Sequence, residues 1–545
     1  MPDSIDNLGL IAPASRPALP GGGPQHTAEV IDRIVAADPG REALVGRSGR
    51  FTFGALDGEA NRAANALAAL GVTPGARVAA CLPNDVQLPI LFLATQRLGA
   101  LWVGVNRLLA PPEKAYLLRD SGAHVYITLA ALAGEIEGQP ELPELAHVIR
   151  VSPGAADCEW ARRCAAASAT RPAVALDPFA PAAIAYTSGT TGFPKGAVHS
   201  AHNLLLPGTI SHLTRRVPEG TRQGAVLPLT ILNLVVLEVL APWIDGRTVV
   251  AIDRTDPLGL AAWIRTERVG AFSAVPTIFH DLLTHPGVKA SDLASLVAPG
   301  VGGSDVPPEV VRLFRERFGR EVGIGYGMTE APTAVTWSDG GVPAGPGLCG
   351  KPLAQVEIEI LDDAGRVLPP GEVGEITVRP ARGGPFAGVY TPMLGYWRKP
   401  EATRKALRDG RYHSGDLGLL AEDGNLYIRG RRNELILRGG ANVYPAEVER
   451  ALQEHADVAF AAVFGIPDER LGERVVAVVQ PKPGREAPPA EALRAFCAER
   501  IARYKVPDRI ASVPALPRNA MGKVLKRQLA GTFVQTSNRA PREAF

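Results

Sequence analysis

The chain has little that would commit it to an unusual environment. Cysteine is scarce: Cys81, Cys158, Cys164, Cys349 and Cys497 are an odd five in 545 residues, widely spaced, with no CxxC pair. That argues against a disulfide framework and a thiolate zinc site, and leaves inert thiols. Neither sign of charge is in excess. Lysine and arginine number 58 against 56 aspartate and glutamate, a net charge of +2, so no global field draws nucleic acid or an anionic membrane. No block of like charge forms an interaction tail. Long apolar runs are missing too. The longest, residues 230–244, carries Asn233 and Glu238 and is too short to span a bilayer. Residues 1–28 lack the charged-then-apolar pattern of a secretory leader, and 1–26 read as a disordered lead. A cytoplasmic protein is expected, with any small anionic ligand held by local groups.

What is present is the mix of an ordinary globular protein, 46% hydrophobic and 21% charged. A chain of 545 residues exceeds what one core usually organises, so two or more domains are expected. From about residue 50 helix and strand alternate. Leu56, Ala60, Ala63, Ala64, Leu67 and Leu70 recur at helical spacing, Gly71 suits a C-terminal cap, and residues 78–82 read as a buried strand. The alternation is clearest from 245 to 327, with strands predicted at 248–252, 271–275, 296–298 and 322–326 and helices at 258–267, 277–283 and 308–318. Such β-α units favour a mostly parallel sheet covered on both faces.

After Gly350 the texture changes. Residues 356–360 alternate apolar and charged, and glycine turns follow at Gly371 and Gly374, the pattern of a smaller antiparallel, barrel-like sheet. Beyond Gly430 comes an α+β stretch, with helices at 446–455 and 490–502 and strands at 458–464 and 474–480. The expected fold is therefore α/β: a large N-terminal domain at 27–433, a small mobile α+β domain at 434–530, and a tail at 531–545.

The strongest chemical signal is Tyr186-Thr187-Ser188-Gly189-Thr190-Thr191-Gly192-Phe193-Pro194-Lys195-Gly196. Its glycines let backbone N–H groups face one anion, and four hydroxyls and a lysine add donors, a combination suited to polyphosphate. It does not match GxxxxGK[ST], and its flanks are strand-like on both sides, so a mobile loop between strands is expected.

This run resembles the phosphate loop of the adenylate-forming superfamily: acyl-CoA synthetases, nonribosomal-peptide adenylation domains and luciferases. The similarity extends over roughly residues 27 to 530 through further motifs in order. Gly325-Tyr326-Gly327-Met328-Thr329-Glu330 ends a predicted strand, where open α/β sheets place ligands. The resemblance implies that Tyr326 stacks on adenine, Thr329 contacts the α-phosphate, and Glu330 helps hold Mg²⁺, a cation that prefers carboxylate and phosphate oxygens. Gly302-Gly303-Ser304 resembles the segment lining adenine. Ser414-Gly415-Asp416 and Gly430-Arg431 resemble the ribose-contacting motifs, with Asp416 accepting from the sugar hydroxyls and Arg431 donating. Pro517-Arg518-Asn519-Ala520-Met521-Gly522-Lys523 matches the motif that presents the adenylation lysine, Lys523. Gly439 and Gly440 fall where the family places a channel for the CoA thiol, and Glu434 falls at the hinge between domains.

Two departures stand out. The hinge segment reads Gly430-Arg431-Arg432-Asn433-Glu434, where Gly-Arg-x-Lys-Asp is usual. In the motif usually written Pro-x-x-His-x-x-Gly, Ile231 replaces His and Leu234 replaces Gly. No aspartate lies at 230–237 to pair an α-amine, so an apolar carboxylic acid is the expected substrate. Ile231, Leu232, Asn233 and Val235 are the candidate pocket residues, and packing of a core helix is the competing reading of the same stretch.

The resemblance implies an ATP-dependent carboxylic acid–CoA ligase using ATP, Mg²⁺ and coenzyme A, with acyl-AMP as intermediate. The alternative is an adenylate-only ligase that loads a separate carrier protein. A catalytically dead binding protein is disfavoured by the intact Lys195, Glu330, Asp416 and Lys523. The sequence leaves the acid's identity open, and monomer or homodimer as well.

Overall fold

The computed structural model describes residues 8–139, 141–155, 157–187, 194–214, 217–302, 306, 308–319, 322–331, 333–338, 347–432, 434–438, 441–468, 470–519 and 524–537. The helical stripe at the start of the alternation folds as expected. In the helix Phe53–Ala69, Leu56, Ala60, Ala64 and Leu67 are fully buried, the Thr52 hydroxyl accepts from Ala55 N at 3.2 Å, and Gly71 takes φ +80° beyond the C-terminus. A left-handed residue there reverses the chain into the buried strand Arg77–Cys81.

Two seven-stranded sheets carry the bulk of the chain. In the first, Gly323–Ile324, Ala298–Val301, Val269–Ala274, Arg222–Ala225, Val249–Ala251 and Glu42–Gly46 run parallel in that spatial order, closed by the antiparallel hairpin partner Gly49–Thr52. In the second, Pro181–Thr187, Leu101–Gly104, Arg77–Cys81, Val125–Leu129 and His147–Val151 are parallel neighbours, and Lys195–Ser200 and Gly395–Tyr396 extend the edge antiparallel. A third seven-stranded sheet, antiparallel, is built from Thr336–Trp337, Leu348–Pro352, Leu426–Arg431, Arg411–Leu420, Gly374–Pro380 and Val356–Leu361, with Leu407–Arg408 paired to Arg411–Leu420. The fourth sheet lies wholly in the C-terminal part. It is built on the long hairpin Val458–Asp468 and Gly472–Pro481, whose second strand also pairs with Ile436–Arg438 at Gly472 and with the parallel strand Arg509–Ser512 along residues 476–479.

Several expectations need correction. Residues 8–26, read as part of a disordered lead, follow a defined path: Leu10 and Leu19 are 4% and 3% exposed, and Ile11 N bonds Leu394 O at 2.7 Å. Two apolar anchors in a proline- and glycine-rich segment suffice to hold it down. The tail does not begin at 531, because the helix Lys526–Ser537 runs through it. The predicted helix at 490–502 stops at Ala498, and residues 503–505 form a single 3-10 turn. Finally, the apolar run 230–244 is helical, with a π-turn at Val236–Leu240 that widens the backbone around the buried Glu238.

No helix among the described residues is long and apolar enough to cross a membrane. All five cysteines are free, and only Cys158 is not buried.

Candidate active site

A cleft of about 1740 Å³ opens where the carboxyl ends of both parallel sheets meet the antiparallel sheet and the C-terminal part. Ligands of open α/β sheets bind at such strand ends, since backbone donors and loop side chains converge there.

The phosphate motif sits on one rim. Pro181–Thr187 and Lys195–Ser200 pair antiparallel with Thr187 opposite Lys195, so the motif is the tip of a hairpin. Thr187 and Lys195 line the cleft, whereas Ser188, Gly189, Thr190, Thr191 and Gly192 lie outside the described residues. Tyr116 Oη steadies the return strand through Pro194 O at 3.0 Å, and Tyr186 Oη donates to Asp120 at 2.8 Å. The Lys195 ammonium stands 4.5 Å from the centre of the Tyr396 ring and has no carboxylate partner among the described residues.

Tyr396 in turn donates to Glu330 Oε1 at 2.8 Å. Burial, then the charge of Glu330, pushes the Tyr396 hydroxyl well above its ordinary value, which keeps it a donor. The second Glu330 oxygen carries no protein hydrogen bond among the described residues. Behind the motif, His199 Nε2 meets Thr329 O at 2.7 Å. His199 is fully buried, and that burial lowers its pKa to about 4, so the ring is neutral and Nε2–H is the donor.

The ribose motif follows from strand register. Asp416 and Arg431 are directly paired across Arg411–Leu420 and Leu426–Arg431, with Arg431 Nε 3.1 Å from Asp416 Oδ1. The other Asp416 oxygen accepts from Tyr326 Oη at 2.6 Å. Burial by itself would lower the Arg431 pKa most, but Asp416, Glu434, Tyr326 and Glu330 together outweigh it and raise the pKa. Gly415, at φ +71°, lets the chain turn so that its N–H reaches Glu375 at 3.2 Å while Ser414 Oγ bonds Ile376 O at 2.6 Å. Gly302 lines the cleft; Gly303 and Ser304 lie outside the described residues.

On the acid side Ile231, Leu232 and Asn233 line the cleft, and so do Leu234, at the motif's Gly position, and Leu237, which the motif reading did not single out. Val235 is corrected. It is 3% exposed, packs in the core and does not line the cleft, since two residues' rotation in either direction turns it away from Asn233 and Leu237. The stretch is thus both wall and core helix.

The C-terminal part faces the cleft through Arg518, Asn519 and Leu525, while Lys523, Gly439 and Gly440 lie outside the described residues. Arg518 stacks 4.5 Å over Phe460, whose ring is edge-on to His280 of the helix Pro276–Thr284 at 6.3 Å. Glu434 is held by Lys526 at 3.0 Å, which also pairs with Glu449 at 2.7 Å. Sequence reasoning missed Tyr396, Glu375 and His199. Each acts through a partner far along the chain, and nothing local marks it.

Thr187 and Lys195 at the ends of the glycine-rich motif, the Tyr326–Asp416–Arg431 set and the apolar side chains at 231–237 meet at one cleft, an arrangement suited to a carboxylate-activating, nucleotide-using enzyme. Residues 31–397 match the AMP-binding enzyme family and residues 447–523 the AMP-binding enzyme C-terminal domain, so the chain belongs to that family. It is 33% identical over 521 residues to a feruloyl-CoA synthase of an Amycolatopsis species, covering 94% of this chain and 99% of the relative. It is 31% identical over 503 residues to the long-chain-fatty-acid–CoA ligase FadD13 of Mycobacterium tuberculosis, covering 89% and 94%. The structure of the anthranilate CoA ligase AuaEII in complex with anthranoyl-AMP superposes with a TM-score of 0.85 at 26% identity, covering 94% of this chain and 98% of that one.

Proposed function

We propose that the chain is an ATP-dependent carboxylic acid–CoA ligase, which forms acyl-AMP with release of pyrophosphate and then passes the acyl group to the CoA thiol. The observation that carries this is the chain of contacts from Lys195 through Tyr396 to Glu330 on one rim, and from Tyr326 through Asp416 to Arg431 on the other. The first set suits a polyphosphate and the second a nucleoside, and members of both line one cleft.

In the first half-reaction a carboxylate oxygen attacks the α-phosphorus and the bond to the bridging pyrophosphate oxygen breaks. Two anions must meet, so positive charge and N–H donors at the reacting centre carry most of the catalysis. Lys523 is assigned to bridge the carboxylate and the α-phosphate, Thr329 to contact that phosphate, and Thr187 and Lys195, with the residues 188–192, to hold the leaving pyrophosphate. Glu330, whose second oxygen carries no protein hydrogen bond among the described residues, would help hold a Mg²⁺, and such an ion would supply charge neutralisation for the triphosphate. In the second half-reaction the domain at 434–530 turns about Glu434, withdrawing Lys523 and bringing Gly439 and Gly440 to the thiol's path.

Pyrophosphate release across a panel of acids, with thioester measured in the presence and absence of CoA, tests the reading. Acid-dependent pyrophosphate without thioester formation would instead point to a carrier protein as acceptor. Activation of amino acids in place of apolar acids would overturn the acid class.

A further inference from the structure

One wall of the acid slot is built from three glycines and a tryptophan contributed by separate strands. Ser338 N bonds Ile324 O at 2.8 Å and Ile324 N bonds Ser338 O at 3.2 Å, an antiparallel bridge. Since side chains alternate across strands, Trp337 projects on the same face as residues 323 and 325. Gly300 pairs with Gly323 in parallel register and Ser273 pairs with Gly300, so both join that face. The glycines leave room that the indole takes up. A Cβ on Gly300, Gly323 or Gly325 would lie 3.0, 2.5 or 2.9 Å from the six-membered ring of Trp337. One flat ring therefore occupies the space of three side chains, lying along the sheet with its other face partly exposed to the cleft.

The opposite wall is the helical segment carrying Ile231, Asn233 and Leu237. That wall is pinned to the sheet at its inner end, where Glu238 accepts from Ser273 N at 3.1 Å and from the Gln223 amide. Ile231, Asn233 and Leu237 thus line the same cleft as Trp337, and the segment that carries them is fixed by a buried polar clamp at Glu238. The Asn233 amide has no protein partner among the described residues.

Resting on the ligase reading above, we propose that Trp337 is the specificity-determining side chain and that the acid is a compact aryl carboxylate whose ring stacks on the indole. A flat ring gains offset-stacking contact there that a flexible alkyl chain does not.

The test is acid-dependent pyrophosphate release with benzoate, phenylacetate, cinnamate, hexanoate, octanoate and dodecanoate. Wild type is expected to favour aryl acids over dodecanoate by about tenfold or more in kcat/KM. Trp337→Ala should lower the aryl values about tenfold while the KM for ATP stays unchanged, and Trp337→Phe should recover most of the loss. If Trp337→Ala melts early, comparison of Trp337→Phe with Trp337→Leu carries the same expectation, aromatic above aliphatic. A wild-type preference for dodecanoate, or equal losses on aryl and alkyl acids in every variant, overturns the inference alone. No pyrophosphate with any acid overturns the ligase reading and the inference with it.

Discussion

The hydroxyl of Tyr326 donates to the carboxylate of Asp416 at 2.6 Å, although 90 residues separate them. Tyr326 belongs to the parallel-sheet edge and Asp416 to the antiparallel sheet, so this bond joins two separately built layers at the nucleotide's position. Burial, then the Asp416 charge, pushes the tyrosine pKa well up, so the phenol remains the donor and the carboxylate the acceptor.

Tyr326→Phe keeps the ring and removes that bond. A hydrogen bond to a charged group contributes about 1.5–3 kcal/mol, and part of that is recovered by water or by the ribose. The KM for ATP is expected to rise about tenfold, with a smaller fall in kcat. Steady-state kinetics at saturating acid check this. An unchanged KM would mean that the pair positions no part of the nucleotide.

Lys523 separates the half-reactions. One preorganised donor at a transition state is typically worth about 10²–10³-fold, so Lys523→Ala should slow adenylation by at least about two orders of magnitude. Given synthetic acyl-AMP and CoA, the same variant should form thioester at nearly the wild-type rate. Proportional damage to both steps would remove the alternating arrangement from consideration.

Glu434→Pro fixes φ at the hinge. It also removes the 3.0 Å bond from Glu434 N to Arg431 O, so adenylation should fall slightly and thioester formation sharply. Rapid-quench measurement of each step distinguishes this from equal loss of both, the signature of misfolding.

Stability should depend on Glu238. Burial raises its pKa from 4.5 to about 7, against the hydrogen bonds from Ser273 and Gln223. The folded state therefore holds a proton that the unfolded state releases between pH 4.5 and 7, and stability falls as pH rises through that window. At 1.36 kcal/mol per unit the group costs about 3 kcal/mol above neutrality. Glu238→Gln should raise Tm at pH 8 and leave it unchanged at pH 4.5, as read by calorimetry.

Much of this protein was legible in the chain itself. Periodicity of apolar residues located the helix 53–69 and the β-α units from 245 to 327, because that period is a local property of which face meets the core. The motifs at 186–196, 325–330 and 414–416 stood out as candidate ligand sites, since glycine and a donor or carboxylate must be close in sequence to share one turn. Other features exist only once strands are assembled. Residues 8–26 are ordered because Leu10 and Leu19 find buried sites elsewhere in the fold, which composition does not report. Val235 and Leu237 look interchangeable in sequence, yet the helical turn sends one to the core and the other to the cleft. The proposed aryl site is the clearest case: Gly300, the segment of Gly323 and Gly325, and Trp337 come from three separate strand segments, and register alone puts them on one face. Local pattern determines elements and motifs, whereas the shape of the acid site depends on cross-strand register, a relation between residues that no stretch of sequence contains.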